Sequence, residues 1–191
     1  MKILSLPQWG MNEAHISQTY HEGHKALDII PASRTFFGYG VPLTAPEMVR
    51  IERITGDTFT PDNEKNLERG YGIWMKGLET GFTHLYWHVL PILPVWGGDV
   101  IARGKIVAYM GNAGLVRRNG VYVPLEQRTT PAFPGTHLHW EMFDSAFTFK
   151  KAGHEVNQIP HLNFLWQPTY TNTDQLAAAA VVLKKMAKKL G

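Results

Sequence analysis

Two short segments of this chain combine histidine and aspartate at spacings that suit a metal ion. The first reads His24-Lys-Ala-Leu-Asp28 and the second reads His137-Leu-His139. Because successive side chains of a strand point to opposite faces, His137 and His139 would project from one face, about 6.6 to 7 Å apart along the chain. A catalytic zinc ion usually takes three protein ligands and leaves a fourth position to water, which His24, Asp28 and His139 would satisfy. This pattern favours a metal-dependent hydrolase.

The composition limits the classes of protein to which the chain can belong. It has 191 residues, of which 44% are hydrophobic and 18% are charged, and it contains no cysteine. These values are typical of a soluble globular protein with one or two domains, and they exclude thiolate ligands and disulfides. Residues 1–10 are too poor in apolar side chains for a secretory signal, and no later stretch is typical of a membrane span.

The net charge of +3 favours a polyanionic partner, whether a nucleic acid, an anionic membrane or an acidic wall polymer. Much of this positive charge lies at the carboxyl end of the chain. Charge alone does not choose among these partners.

Glycine and proline separate short runs of β-branched and aromatic residues, a pattern that predicts a mainly β protein. We expect strands near residues 47–55, 71–76, 82–89, 105–110 and 137–143. The glycines between Trp96 and Gly114 are typical of the turns in a compact barrel or sandwich. Residues 115–135 predict a long loop just before the histidine strand, and loops of that length commonly bind ligands or cover sites.

The chain changes character at Thr173, where residues 173–191 predict a carboxyl-terminal amphipathic helix. The apolar residues recur at helical spacing, and lysines occupy much of the remaining surface and complement the helix dipole. Two interpretations stay open. The helix packs on the β core with a solvated basic face, or it contacts an anionic membrane or wall.

The order of the motifs resembles that of the lysostaphin-type, or LytM-type, zinc endopeptidase family. The match covers roughly residues 20–145 and consists of His24-Lys-Ala-Leu-Asp28, Tyr86-Trp-His88, the turn Gly98-Asp-Val-Ile-Ala-Arg-Gly104 and His137-Leu-His139-Trp-Glu. Pro42-Leu-Thr-Ala-Pro46 is similar to the first strand of that family, and Gly70-Tyr-Gly72 is similar to the turn before its central strand. Ala26 stands where the family commonly has glycine, and residues 115–135 replace a short connection.

The resemblance implies a zinc-dependent endopeptidase that hydrolyses peptide bonds in the stem or cross-bridge of bacterial peptidoglycan. It implies one Zn²⁺ bound by His24, Asp28 and His139, with His88 and His137 as the catalytic residues. The family often has an assisting tyrosine before the first histidine, and Tyr20 is the only nearby one.

The implied fold is a small antiparallel β-sheet or barrel-sandwich core with long loops over residues 1–172, followed by the helix over residues 173–191. We therefore expect a monomer that contacts the peptide part of the wall and no nucleic acid. The chain would act at the cell wall, outside the cytoplasm. A phage-type lysin, released by host lysis or carried in a virion, would suit a chain without a visible export signal.

Two other classes of protein are alternatives to the endopeptidase. A non-catalytic relative of the same fold could bind the wall or activate another hydrolase, although retention of all five site residues argues against it. The segment 97–114 is also similar to the turns of biotinyl and lipoyl carrier domains, but Lys105 lacks the Met-Lys-Met-like tip that those domains modify. The tryptophans, among them Trp74, Trp87, Trp140 and Trp166, are predicted to be core residues rather than sugar-stacking surfaces.

Overall fold

The computed structural model describes residues 4–5, 14–31, 40–56, 70–90, 93–112, 114, 117–118, 121–122, 136–149 and 153–163. In these residues the chain forms β-strands and one short 3-10 turn at Ile159–His161. The strands are β1 (Leu4–Ser5), β2 (Ala14–Gln18), β3 (Ala26–Pro31), β4 (Pro42–Thr44), β5 (Val49–Thr55), β6 (Tyr71–Gly77), β7 (Thr83–Val89), β8 (Val100–Ile101), β9 (Ile106–Tyr109), β10 (Arg117–Arg118), β11 (Val121–Tyr122), β12 (Leu138–Phe143) and β13 (Leu162–Asn163).

The predicted helix over residues 173–191 and Trp166 lie outside the described residues, as does most of the predicted loop over 115–135. The part of that loop that is described includes the short antiparallel pair β10–β11. No helix in the described part of the chain is long and apolar enough to cross a membrane.

Seven strands form one antiparallel sheet in the order β2-β3-β12-β7-β6-β5-β8. Strands β4 and β9 form a separate antiparallel pair, and β1 pairs with β13 in parallel. The prediction of a mainly β protein is confirmed, and a strand is present in each of the five predicted regions. The strands β2 and β3 were not predicted.

One face of the large sheet forms the core, and the strand β12 shows the alternation clearly. Leu138, Trp140 and Met142 are fully buried, whereas His139 and Glu141 between them are partly exposed. The buried face packs against apolar residues of β4 and β9, namely Leu43, Val107 and Ala108. The polar side chains of β12 therefore lie on the opposite, accessible face.

The glycine-rich segment 96–114 does not build a barrel by itself but is divided between two sheets. Gly98 and Gly104 have φ values of +94° and +76°, which glycine adopts without steric cost. The first turn leads into β8 at the edge of the large sheet, and the second leads into β9, the partner of β4. The predicted turns are confirmed.

The hairpin between β6 and β7 is held by a buried carboxylate. Glu47 accepts hydrogen bonds from the backbone N–H groups of Glu79 and Thr80, both at 2.9 Å, and from His84 Nε2 at 2.9 Å. A Cβ at Gly77 would lie 2.3 Å from Glu47 Oε1, so only glycine leaves room for this carboxylate. The network fixes the turn of the hairpin, whereas His88 lies near the other end of β7.

Candidate metal centre

Strand pairing brings the predicted site residues together on the accessible face of the large sheet. The central strand is β12, which lies between β3 and β7. In this register His139 pairs with Asp28 on one side and with Trp87 on the other. His137 precedes His139 by two positions, and the buried Leu138 separates them.

His24 lies in a tight turn just before β3. The turn is closed by two backbone hydrogen bonds between His21 and His24, of 2.9 and 3.1 Å. His24 Nδ1 is 3.2 Å from the carbonyl oxygen of Thr19, which can accept its proton. This contact fixes the tautomer that leaves Nε2 with a lone pair. Ala26, where the resemblance led us to expect glycine, lies in β3 and is not among the residues with positive φ.

The Asp28 carboxylate is the centre of the cluster. Its Oδ1 is 2.8 Å from His139 Nδ1, and its Oδ2 is 3.3 Å from His24 Nε2 and 3.9 Å from His137 Nε2. Burial opposes ionisation of Asp28, but the hydrogen bond from His139 and the charges of the three imidazoles outweigh it and lower the pKa. Asp28 is therefore a carboxylate at neutral pH, as a metal ligand must be.

His139 is held from both edges of its ring. Burial disfavours the imidazolium, but hydrogen bonding to Asp28 and Glu141 and the charges of both carboxylates raise the pKa of His139 to about 9. The two carboxylates thus favour positive charge at His139, which a metal ion would supply in place of the proton. Carboxylates and imidazoles that are buried this close together each require a hydrogen-bonding or ionic partner.

The residues of this cluster fit a zinc ion. The candidate ligand atoms of His24, Asp28 and His139 all lie within 4.8 Å of one another. His24 Nε2 is buried and has no hydrogen-bond partner among the described residues, so a ligand atom is already desolvated and aimed into the cluster. Two imidazole nitrogens and one carboxylate are a common donor set of catalytic zinc sites. Metal binding by these three residues stays a prediction.

His88 and His137 lie beside this cluster. Their ring centroids are 4.7 Å apart, and the centroid of His88 is 5.8 Å from that of His139. His88 and His137 also form, with His139, a second group whose nitrogen atoms lie within 4.8 Å of one another. The structure therefore brings all five predicted site residues into one cluster.

A strand irregularity directs His88 into the site. His88 has a φ of +61°, and the register of β7 with β6 shifts at this point, between Tyr71 and Gly72. Strict alternation from the buried Tyr86 would turn the His88 side chain toward the core. A bulge re-aims a side chain, and a non-glycine residue in this backbone region is typical of functional sites.

Sequence reasoning gave no role to Glu141, which contacts the cluster. Glu141 Oε1 is 3.5 Å from His139 Nε2 and accepts a hydrogen bond of 3.0 Å from Trp87 Nε1. Glu141 follows His139 at the i+2 spacing of a strand, so the alternation alone could have placed it on the same face. Tyr20, the candidate assisting tyrosine, instead donates a hydrogen bond of 3.4 Å to the carbonyl of Glu155.

Solved structures share this fold. Neither a scan of protein-family models nor a search of curated proteins finds a match to this chain. LytU is 20% identical with a TM-score of 0.53, over 80% of this chain and 88% of LytU. A zinc containing peptidase from Vibrio cholerae is 13% identical with a TM-score of 0.53, over 87% of this chain and 41% of that protein. The antimicrobial peptidase lysostaphin from Staphylococcus simulans is 16% identical with a TM-score of 0.51, over 87% of this chain and 60% of lysostaphin.

At these identities the likeness establishes the fold. The chain has the fold of the lysostaphin-type peptidases, as its motifs predicted. It spans less than two thirds of the Vibrio peptidase and of lysostaphin.

Proposed function

We propose that this protein is a zinc-dependent endopeptidase that hydrolyses peptide bonds in the stem or cross-bridge of bacterial peptidoglycan. The observation that carries the proposal is the cluster itself, in which His24, Asp28 and His139 turn ligand atoms toward one another beside a second pair of histidines. The shared fold of known peptidases supports the reaction class. The order of the motifs supports the wall peptide as substrate.

In this proposal one Zn²⁺ is held by His24, Asp28 and His139. Zinc supplies Lewis acidity, which polarises a carbonyl and makes water acidic enough to act as a nucleophile near neutral pH. The Thr19 carbonyl orients the ring of His24, and the sheet register orients Asp28 and His139. The ligands are thus positioned before a metal arrives, which lowers the cost of ordering them.

His88 and His137 divide two roles between them, proton transfer and stabilisation of the oxyanion. An imidazole has an ordinary pKa near 6.5, so a neutral ring can accept the proton of the attacking water and return it to the leaving amine. The second ring donates a hydrogen bond to the oxyanion that develops on the scissile carbonyl. Their centroid separation of 4.7 Å supports action of both rings on one peptide unit.

The biological setting follows from the substrate. Wall peptides lie outside the cytoplasmic membrane, and we propose that the protein acts there as a monomer. A phage-type lysin role and contact of residues 173–191 with an anionic membrane or wall stay predictions from the sequence.

The test measures soluble fragments and new amino termini released from purified peptidoglycan. Wild type should release both, a chelator should abolish release, and added zinc should restore it. His139→Ala should be inactive with or without added zinc. The mass of the fragments then identifies the bond that is cut.

A matched histidine substitution away from the cluster controls for general damage. His154 pairs with Asp144, with a nitrogen-to-oxygen distance of 3.1 Å, outside the cluster, and His154→Ala should keep wild-type activity. Folded, zinc-loaded wild type that releases nothing from several wall chemotypes would contradict the proposal. That result would favour the non-catalytic wall-binding or hydrolase-activating alternative.

A further inference from the structure

We propose that Glu141 is a positioning residue of the metal centre, which holds the Nε2 proton of His139 so that Nδ1 is presented to the metal. This inference rests on the zinc site of the proposed function, but it does not depend on the substrate. It assigns a role to a carboxylate that the sequence motifs left without one.

The two edges of the His139 ring face different partners. Nδ1 is the edge that faces the other ligands, because it is 2.8 Å from Asp28 Oδ1. A neutral imidazole carries one proton, and the nitrogen that binds a metal cannot carry it. The proton must then reside on Nε2, where it needs an acceptor.

Glu141 Oε1 lies on that second edge, 3.5 Å from His139 Nε2. The two side chains share the accessible face of β12 at i and i+2, so the strand itself keeps them adjacent. Metal-bound histidines generally donate their other N–H to a carboxylate, a carbonyl or a water, which fixes the tautomer and the ring orientation. Glu141 satisfies this requirement with a carboxylate.

Glu141 is in turn fixed by Trp87. The indole Nε1–H donates a hydrogen bond of 3.0 Å to the same oxygen, Oε1, that faces His139. Trp87 is the register partner of His139 on β7, so both contacts to Glu141 come from neighbouring positions of the sheet. The Glu141 carboxylate can therefore move away from His139 only by breaking its hydrogen bond to Trp87.

The position of Trp87 is set by a glycine on the next strand. A Cβ at Gly72 would lie 2.4 Å from two atoms of the indole six-membered ring, so the ring occupies the space that a side chain would take. Trp87 is 7% exposed and packs with Leu85 and Phe143. A continuous set of contacts thus leads from β6 through Trp87 and Glu141 to the His139 ligand.

The test measures zinc affinity of the full chain by competition with a chromophoric chelator, and the visible absorption of the Co²⁺-substituted protein. Glu141→Ala should weaken zinc binding about 10- to 100-fold, the usual effect of losing such a partner, and should alter the Co²⁺ bands. Glu141→Gln should recover most of the affinity, because its amide oxygen still accepts from His139. Trp87→Phe should cause a smaller loss, because the acceptor remains but is less fixed.

Glu52→Ala, an exposed glutamate on β5, serves as the matched control and should bind zinc like wild type. A folded Glu141→Ala protein with affinity within about twofold of wild type and unchanged Co²⁺ bands would overturn the inference. Equal losses for Glu141→Gln and Glu141→Ala would also overturn it, because charge and not an acceptor would then be needed. If Glu141→Ala does not fold, the other two variants decide. Wild-type zinc affinity of Glu141→Gln together with reduced zinc affinity of Trp87→Phe supports the inference. Unchanged zinc affinity of Trp87→Phe overturns it.

Zinc binding is measured without peptidoglycan, so the two proposals fail separately. If wild type binds zinc but releases no wall fragments, the proposed activity is contradicted and the role of Glu141 is unaffected. Wild type that cleaves the wall with zinc while Glu141→Ala binds zinc normally removes only the role of Glu141.

Discussion

Asp28 organises the candidate site at the scale of single residues. Its two oxygens contact three histidines, with His139 on Oδ1 and both His24 and His137 on Oδ2. Two of these histidines are the predicted ligands and the third is a predicted catalytic residue. In the proposed enzyme this carboxylate would couple the metal ligands to a proton-transfer histidine.

The separation of roles within the histidine cluster gives the first prediction. His88→Ala and His137→Ala should each lower peptidoglycan hydrolysis about 10²- to 10⁴-fold, the range for losing a general acid or base or an oxyanion donor. Both variants should retain one equivalent of zinc, because neither side chain belongs to the group of His24, Asp28 and His139. Zinc content and fragment release are measured on the same preparations. Joint loss of metal and activity in both variants would contradict the division of roles.

At the scale of elements, the bulge in β7 and the end of β9 depend on each other. Leu90 N donates to the carbonyl of Tyr109 at 2.9 Å, so the two segments lie side by side. Gly111 lies two residues after Tyr109, against the backbone of His88. A Cβ at position 111 would lie 2.8 Å from the carbonyl oxygen of His88. The left-handed backbone of His88 thus requires a residue without a side chain at position 111.

Gly111→Ala should consequently displace His88 without altering the ligands. We expect about 10- to 100-fold lower activity, because small misplacements of a catalytic group cost this much. The zinc affinity should stay at the wild-type value, and chelator competition checks it on the same sample. Ala108→Gly, a change at a buried β9 position, tests whether general loosening of β9 has the same effect. Equal losses in the two variants would argue against a specific role of Gly111.

The buried pair Glu47 and His84 predicts how the β6–β7 hairpin responds to acid. Burial raises the pKa of Glu47, but hydrogen bonds from His84 and Thr80 outweigh it and lower the pKa to about 2. Burial lowers the pKa of His84 and outweighs the opposing contact with Glu47. His84 is thus neutral and donates from Nε2.

The carboxylate of Glu47 should stabilise the fold fully above pH 4.5, its ordinary pKa, and lose this contribution as the pH falls toward 2. Glu47→Gln should cost about 1.5–3 kcal/mol near neutral pH, the usual value for hydrogen bonds to a charged group. This difference in the free energy of unfolding from wild type should shrink between pH 4.5 and 2. Urea unfolding with chelator present measures it, and a difference that does not vary with pH would contradict the prediction.

At the scale of the whole molecule, a metal at this site would join segments that are distant in the chain. The ligands come from the turn before β3, from β3 itself and from β12, and Asp28 and His139 are 111 positions apart. A ligand that binds only the folded state stabilises it by about 2.7 kcal/mol at a hundredfold excess over its Kd. Zinc should therefore act as a stabilising cross-link of the large sheet.

Thermal unfolding tests this cross-link. Zinc at a hundredfold excess over its Kd should raise the Tm of the chelator-treated protein by about 5–10 °C. This range follows from the usual change in Tm per kcal/mol of stabilisation for a domain of this size. Asp28→Asn keeps the shape of the side chain but lacks the charge, and its Tm should rise far less. An equal increase in the two proteins would indicate that zinc stabilises the fold from another site.

The sequence was sufficient for many local features of this fold and for the choice of candidate site residues. Runs of β-branched and aromatic residues predicted the strand that carries His139, which begins one residue after His137, and glycine spacing predicted the turns at Gly98 and Gly104. The strand β3 was missed, although it carries Asp28. Ala26, Leu27 and Ile29 are buried and Ile30 is partly exposed, and a short apolar run without regular alternation is a weak signal.

The motif order determined which residues were candidates, and the types of those residues determined the chemistry, because both are written along the chain. Only the tertiary structure decided how the side chains face one another. The pairing of β12 with β3 and β7 places Asp28 on one side of His139 and Trp87 on the other. This register arises from backbone hydrogen bonds and core packing between distant segments. A local sequence pattern therefore does not reveal it. For that reason the sequence indicated His139 as a ligand, whereas the contact of Glu141 with its outer edge became visible only in the folded sheet.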